Sequence, residues 1–158
     1  MTGRYEPLAN AAELPRLVRK LSARTMIIDV EPFIASWDSG QDALDRGIAH
    51  FLAGVPAIGS VTVVCFATNS ARVPSALPAV ADVRVEYLAS ARKPLHTGPF
   101  LRLPRPGVVV GDQVATDGLL ARRLRYAFVY FRPPLRDMPV GPLMFRGGGE
   151  LLRPLLFR

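Results

Sequence analysis

The stretch Thr25-Met26-Ile27-Ile28-Asp29-Val30-Glu31 is a short apolar run that ends in two carboxylates. Residues 25–28 have the length and composition of a buried strand. In open α/β sheets, ligands bind beyond the carboxyl ends of the strands. The stretch therefore predicts a central strand that delivers Asp29 and Glu31 to a binding site.

A second stretch of the chain has the same form. Val108-Val109-Val110-Gly111-Asp112 is again an apolar run that ends in a carboxylate, and Asp117 follows it closely. Because parallel strands bring their carboxyl ends to one edge of a sheet, the two stretches together predict one acidic pocket.

Strand-like and helix-like segments alternate along the rest of the chain. This alternation predicts an α/β three-layer sandwich whose parallel sheet is covered on both faces. The predicted strands are 25–28, 61–66, 83–87, 108–110 and 127–131, about five in all, and the predicted helices are 11–23, 42–52 and 119–124. A length of 158 residues suits a single domain, 1–158. Five prolines and Gly147-Gly148-Gly149 predict an irregular basic tail over 132–158.

The composition excludes some classes of protein. Hydrophobic residues make up 49% of the chain, too many for a disordered protein. Cys65 is the one cysteine, which excludes an internal disulfide. The net charge of +7 suits anionic partners such as phosphorylated ligands or lipid surfaces. Basic and aromatic residues show no nucleic-acid recognition pattern, so no nucleic-acid partner is expected.

Two segments bear on membrane contact. The amphipathic segment 11–23 is interpreted as a helix packed on the sheet, with a helix lying on an anionic membrane as the alternative. The uncharged interval between Arg46 and Arg72 is broken by Gly54, Pro56 and Gly59, which favours a helix, a turn and a strand over a membrane span. We find no signal peptide and expect a cytoplasmic protein, with peripheral membrane contact as the alternative.

Polar residues also follow the second and third predicted strands. Thr68 and Asn69 follow the second, with Ser70 as an adjacent alternative, and Lys93 follows the third. Converging carboxylates repel one another, and oxygen ligands suit Mg²⁺. Lys93 supplies a point charge for a phosphoryl group. We therefore expect a Mg²⁺ site beside a phosphate site.

These motifs resemble the haloacid dehalogenase (HAD) superfamily, in which four motifs occur in this order. The segment from Asp29 to Asp38 resembles the YqeG-type branch, including its Trp-Asp pair. Ala91-Arg92-Lys93-Pro94 and Gly111-Asp112-Gln113-Val114-Ala115-Thr116-Asp117 resemble the third and fourth motifs of that branch. The branch is related to phosphatidylglycerophosphate phosphatases, and the resemblance covers nearly the whole chain.

The resemblance implies a Mg²⁺-dependent phosphatase that works through an aspartyl phosphate. Asp29 would be the nucleophile, Glu31 the general acid and base, and Lys93, Thr68 and Asn69 the phosphoryl-binding groups. The metal would be held by Asp29, the Glu31 backbone carbonyl and Asp112, with Asp117 supporting its water shell or orienting Lys93. The short intervals between motifs imply an open site without a cap domain. Such a site suits a bulky substrate such as a lipid or protein phosphate. The alternative is an open site covered by a partner subunit in a homo-oligomer.

Two residues depart from the family pattern of Asp, any residue, Asp, any residue, Thr. Glu31 stands at the second acidic position, and Phe33 stands at the threonine position. The Glu31 carboxylate lies one methylene farther from the backbone than an aspartate carboxylate would. The Phe33 ring is expected beside the pocket. A catalytically impaired HAD-like protein that acts as a binding or regulatory partner is therefore the alternative function.

Overall fold

The structure, a computed structural model, describes residues 4–132, 153–154 and 156–157. These residues form six strands and three α-helices. The strands are β1 (Tyr5–Leu8), β2 (Thr25–Asp29), β3 (Val63–Ala67), β4 (Arg84–Leu88), β5 (Gly107–Gly111) and β6 (Ala127–Phe131), and the helices are α1 (Leu14–Lys20), α2 (Gln41–Gly54) and α3 (Leu119–Leu124).

All strand pairs of the sheet are parallel, in the order β1-β6-β5-β2-β3-β4. The predicted α/β class with a parallel sheet is thereby confirmed. β2 lies between β5 and β3, and Asp29 at its end pairs in register with Ala67 of β3. The ends of these three central strands therefore lie side by side, which brings the predicted motifs to one edge.

The sheet has a hydrophobic cluster on each face. Successive residues of a strand point to opposite faces, so Ile28 packs in one cluster with Ile48 of α2, and Ile27 packs in the other with Leu120 of α3. All five residues of β2 are buried. Full burial of a large apolar side chain contributes about 1.5–3 kcal/mol, so β2 is anchored from both sides.

Three details of the predicted elements are corrected. The sixth strand, β1, was not predicted. The helix predicted over 11–23 is instead a 3₁₀ turn at Ala11–Glu13 followed by α1, which ends at Lys20 because the chain turns through Ser22 at a positive φ of 50°. Predicted strand ends shift by one or two residues. The predicted irregular tail, 132–158, lies almost wholly outside the described residues.

The connections on either side of β3 run over residues 30–62 and 68–83. α2 and a 3₁₀ turn, Val55–Ile58, join β2 to β3, and irregular backbone joins β3 to β4. The absence of a cap domain stays a prediction. Among the described residues, no helix combines the length and the apolar character needed to cross a bilayer.

Candidate functional site

A pocket of about 220 Å³ lies at the carboxyl ends of the central strands. Its walls combine charged, hydroxyl and amide groups with one aromatic ring. The lining residues are Asp29, Glu31, Trp37, Thr68, Asn69, Ser70, Arg72, Lys93, Gln113 and Thr116. The predicted residues of all four segments thus border this pocket or, for Asp112 and Asp117, lie buried beside it.

Lys93 forms the centre of the charged groups. Its Nζ donates hydrogen bonds to Asp29 Oδ1 at 2.7 Å and to Asp117 Oδ1 at 2.8 Å, with only 2% of its side chain exposed. Burial alone would lower the pKa of Lys93, but the carboxylates of Asp117 and Asp29 outweigh it and raise that pKa. Lys93 is therefore a fixed positive charge between two acids.

Asp29, Asp112 and Asp117 form a buried acidic cluster, in which one carboxylate oxygen of each lies within 4.8 Å of the others. Burial raises the pKa of Asp29 well above its usual value, and the nearby Asp117 carboxylate raises it further, while Lys93 opposes both effects. The cluster thus retains repulsion that one ammonium group does not remove.

The cluster fits a divalent cation of the magnesium type. The three carboxylates and the Lys93 ammonium leave a formal charge of −2, and all the available donors are oxygens. Asp117 Oδ2 is buried and has no hydrogen-bond partner among the described residues. A buried carboxylate oxygen without a partner is costly, and a metal ion or its bound water would satisfy it.

The backbone after β5 explains how two acids of one segment reach the same point. A single turn of π-helix, Val114–Gly118, follows the strand, and the Asp117 amide donates to the Gln113 carbonyl at 2.8 Å. The Asp117 carboxylate is thereby folded back against Gly111, where a Cβ atom would overlap it. Glycine at 111 is thus required for this close approach.

Glu31 is held by hydroxyl groups from the segment after β3. Thr68 Oγ1 donates to Glu31 Oε2 at 2.6 Å, and Ser70 Oγ donates to Glu31 Oε1 at 3.3 Å. Arg72 forms an ion pair with the same carboxylate at 3.5 Å. The Thr68 hydroxyl, predicted to bind substrate, therefore contacts Glu31 in this structure.

Asn69, also predicted to bind substrate, joins two loops. Its Oδ1 accepts from the Lys93 amide at 2.7 Å, and its Nδ2 donates to the Lys93 carbonyl at 3.1 Å. The paired bonds fix the backbone from which the Lys93 side chain enters the cluster. Asn69 thus positions the Lys93 backbone.

Sequence reasoning missed some pocket residues and misplaced one. Arg72, Gln113 and Thr116 line the pocket, although the last two lie within the fourth quoted motif. Phe33 packs edge-on against the rings of Phe51 and Phe131, with centroid separations of 6.1 and 5.0 Å. The expectation of a Phe33 ring beside the pocket is wrong, because the loop after Glu31 directs this partly buried side chain against the hydrophobic cluster that contains Ile28.

Comparison of the chain with protein-family models, with curated proteins and with solved structures finds no match.

Proposed function

We propose that this protein is a Mg²⁺-dependent phosphatase of the HAD type, which hydrolyses a phosphate monoester through an aspartyl phosphate. The observation that carries the proposal is the position of Asp29. Its carboxylate lies at the pocket, bonded to Lys93 and within the acidic cluster that suits a divalent cation. A nucleophilic carboxylate needs a nearby cation to meet the charge of the phosphoryl group.

The proposed reaction has two steps. A carboxylate oxygen of Asp29 attacks the phosphorus, the bond from phosphorus to the leaving oxygen breaks, and Glu31 gives its proton to that oxygen. Glu31 then takes a proton from a water molecule, which attacks the aspartyl phosphate, releases inorganic phosphate and restores Asp29. Lys93 neutralises charge on the phosphoryl oxygens and holds Asp29 in place.

Asp29, Asp112 and Asp117 would hold the magnesium ion, with the Glu31 backbone carbonyl as a further ligand implied by the resemblance. When bound, the ion supplies Lewis-acid stabilisation of the transferring phosphoryl group. The net charge of +7 favours an anionic substrate. A lipid phosphate such as phosphatidylglycerophosphate is the candidate that the resemblance suggests.

The test is phosphate release from para-nitrophenyl phosphate, measured with excess Mg²⁺ and with EDTA. We expect turnover that requires Mg²⁺ and falls by at least about 1,000-fold in Asp29→Asn, because the attacking group is lost. Asp82→Asn is the matched control, since Asp82 lies at a positive φ that asparagine also tolerates. Asp29→Asn turnover close to that of the control would refute the role of Asp29.

A second candidate is a binding or regulatory protein that retains the site without turnover. The observation that favours it is the set of partners already held by Glu31, which come from Thr68, Ser70 and Arg72. In this candidate, Glu31 stays bonded to these groups and gives no proton to a leaving oxygen. Calorimetric binding of Mg²⁺ and inorganic phosphate, without release of phosphate from esters, would support this candidate over the phosphatase.

A further inference from the structure

Arg72 joins the two sides of the pocket. One guanidinium nitrogen donates to the Ser36 carbonyl at 2.9 Å and lies 3.5 Å from Glu31 Oε1. The other donates to the Ser39 carbonyl at 2.9 Å and to the Ser39 hydroxyl at 3.3 Å. A planar guanidinium suits such forked contacts, which the single ammonium of lysine does not reproduce.

The Arg72 backbone is itself fixed to the sheet. The Tyr87 hydroxyl, from edge strand β4, donates to the Arg72 carbonyl at 3.0 Å, and the Arg72 amide donates to Ser70 Oγ at 3.3 Å. The guanidinium thus extends from a held backbone to the turn of residues 36–39. That turn carries Trp37, which lines the pocket.

We propose that Arg72 is a positioning residue that holds Glu31 and the Trp37 turn as one unit in the wall of the pocket. Most of its N–H groups are directed to the Ser36 and Ser39 carbonyls and to the Glu31 carboxylate. Arg72 therefore acts on the site by holding other protein groups in place. Its removal frees the Glu31 carboxylate on one side and releases the 36–39 turn from the segment after β3. The catalytic consequence, through Glu31, rests on the proposed phosphatase function, whereas the effect on Trp37 does not.

Trp37 is the one tryptophan of the chain, so its fluorescence reports on this turn directly. The variants are Arg72→Gln, which loses both the charge and the forked guanidinium contacts, and Arg72→Lys, which keeps the charge but loses those contacts. Arg102→Gln is the control, because Arg102 pairs with Glu86 at 3.1 Å on an exposed surface. Far-ultraviolet circular dichroism and thermal unfolding identify which variants are folded. If Arg72→Gln does not fold, the proposal is tested with Arg72→Lys alone.

We expect the rate of acrylamide quenching of Trp37 to rise by about 2-fold or more in the folded Arg72 variants, since the turn opens locally. The control should match the wild type. Quenching in Arg72→Lys and folded Arg72→Gln that equals the control would overturn the proposal. This readout needs no turnover, so a failure of the proposed function is separately visible as absence of phosphate release in the wild type.

Where the wild type releases phosphate, the kinetics provide the second readout. Misplacement of Glu31 should lower kcat by about 10-fold to 100-fold and change KM by less than about 3-fold, because a positioning residue acts on the chemical step. In a Glu31→Gln background, Arg72→Gln should have little further effect on kcat. A rise in KM with unchanged kcat would instead assign Arg72 to substrate binding and overturn the proposal.

Discussion

Replacement of Lys93 by methionine tests whether one ammonium group holds the acidic cluster together. Methionine has a similar length and keeps the apolar part of the side chain, but it donates no hydrogen bond. The Nζ bonds to Asp29 at 2.7 Å and to Asp117 at 2.8 Å disappear together. Two buried carboxylates then face each other without the cation between them.

The expected loss follows from that geometry. The Lys93 side chain is 2% exposed and that of Asp117 is fully buried, so water screens the pair little. Removing one partner of a buried ion pair costs about 3–5 kcal/mol. At about 2–4 °C per kcal/mol for a chain of this size, the melting temperature of Lys93→Met should fall by about 6–20 °C in EDTA.

The assay is thermal unfolding by circular dichroism at two pH values. In Lys93→Met the pKa of Asp29 rises further above its unfolded value, so the folded state binds a proton more readily. The free energy of unfolding should therefore recover as the pH falls from 8 to about 5 and be lost again as the pH rises.

Lys20→Met is the control for this substitution. Lys20 is largely exposed, and its Nζ lies 3.6 Å from Glu6 Oε1. Loss of this surface pair should change the free energy of unfolding by less than about 0.5 kcal/mol. A Lys93→Met protein as stable as Lys20→Met at pH 8 would refute the reasoning.

Three further predictions concern stability around the site. Burial raises the pKa of the Cys65 thiol from 9.0 to about 12. As the pH rises, the unfolded chain releases this proton before the folded protein does. Between these pH values the free energy of unfolding should therefore fall by up to about 1.4 kcal/mol per pH unit more than in Cys65→Ala. Equal slopes of unfolding free energy against pH, measured by denaturant titration, would contradict this. Gly111→Ala should lower stability by about 1–3 kcal/mol, because the new Cβ overlaps the Asp117 carboxylate. It should also weaken Mg²⁺ binding in calorimetry, whereas an unchanged affinity would show that Asp117 is not displaced. Phe33→Thr should not raise phosphate release and should lower the free energy of unfolding by about 1–3 kcal/mol, because two edge-on aromatic contacts are lost. A stable and more active variant would contradict the packing of this ring against Phe51 and Phe131.

The placement of the acids could be predicted from sequence because it depends on topology alone. Apolar runs that end in carboxylates mark strand ends, and parallel pairing brings those ends to one edge. Asp29 and Asp112 follow this logic directly. Strand β1 could not be found in this way, because its four residues include Pro7 and Glu6, and its pairing with β6 comes from tertiary contact.

The contacts within the site depend on the paths of loops, which sequence patterns do not specify. The backbone after Glu31 turns the Phe33 side chain against the hydrophobic cluster, although the motif alone suggests a position at the pocket. Asn69 was predicted to bind substrate, but its two bonds to the Lys93 backbone arise from the approach of two loops. The contacts of Arg72 with Ser36 and Ser39 span more than thirty residues and have no local signal.

The most direct test of the central claim is to locate the phosphoryl group during turnover. The protein is mixed with para-nitrophenyl phosphate and Mg²⁺, quenched in acid, reduced with borohydride and digested, and the peptides are sequenced by mass spectrometry. Reduction converts an aspartyl phosphate into homoserine, so the account predicts homoserine in place of Asp29 in the wild type and none in samples without Mg²⁺. Conversion at a different residue, or turnover that leaves Asp29 unmodified, would contradict it.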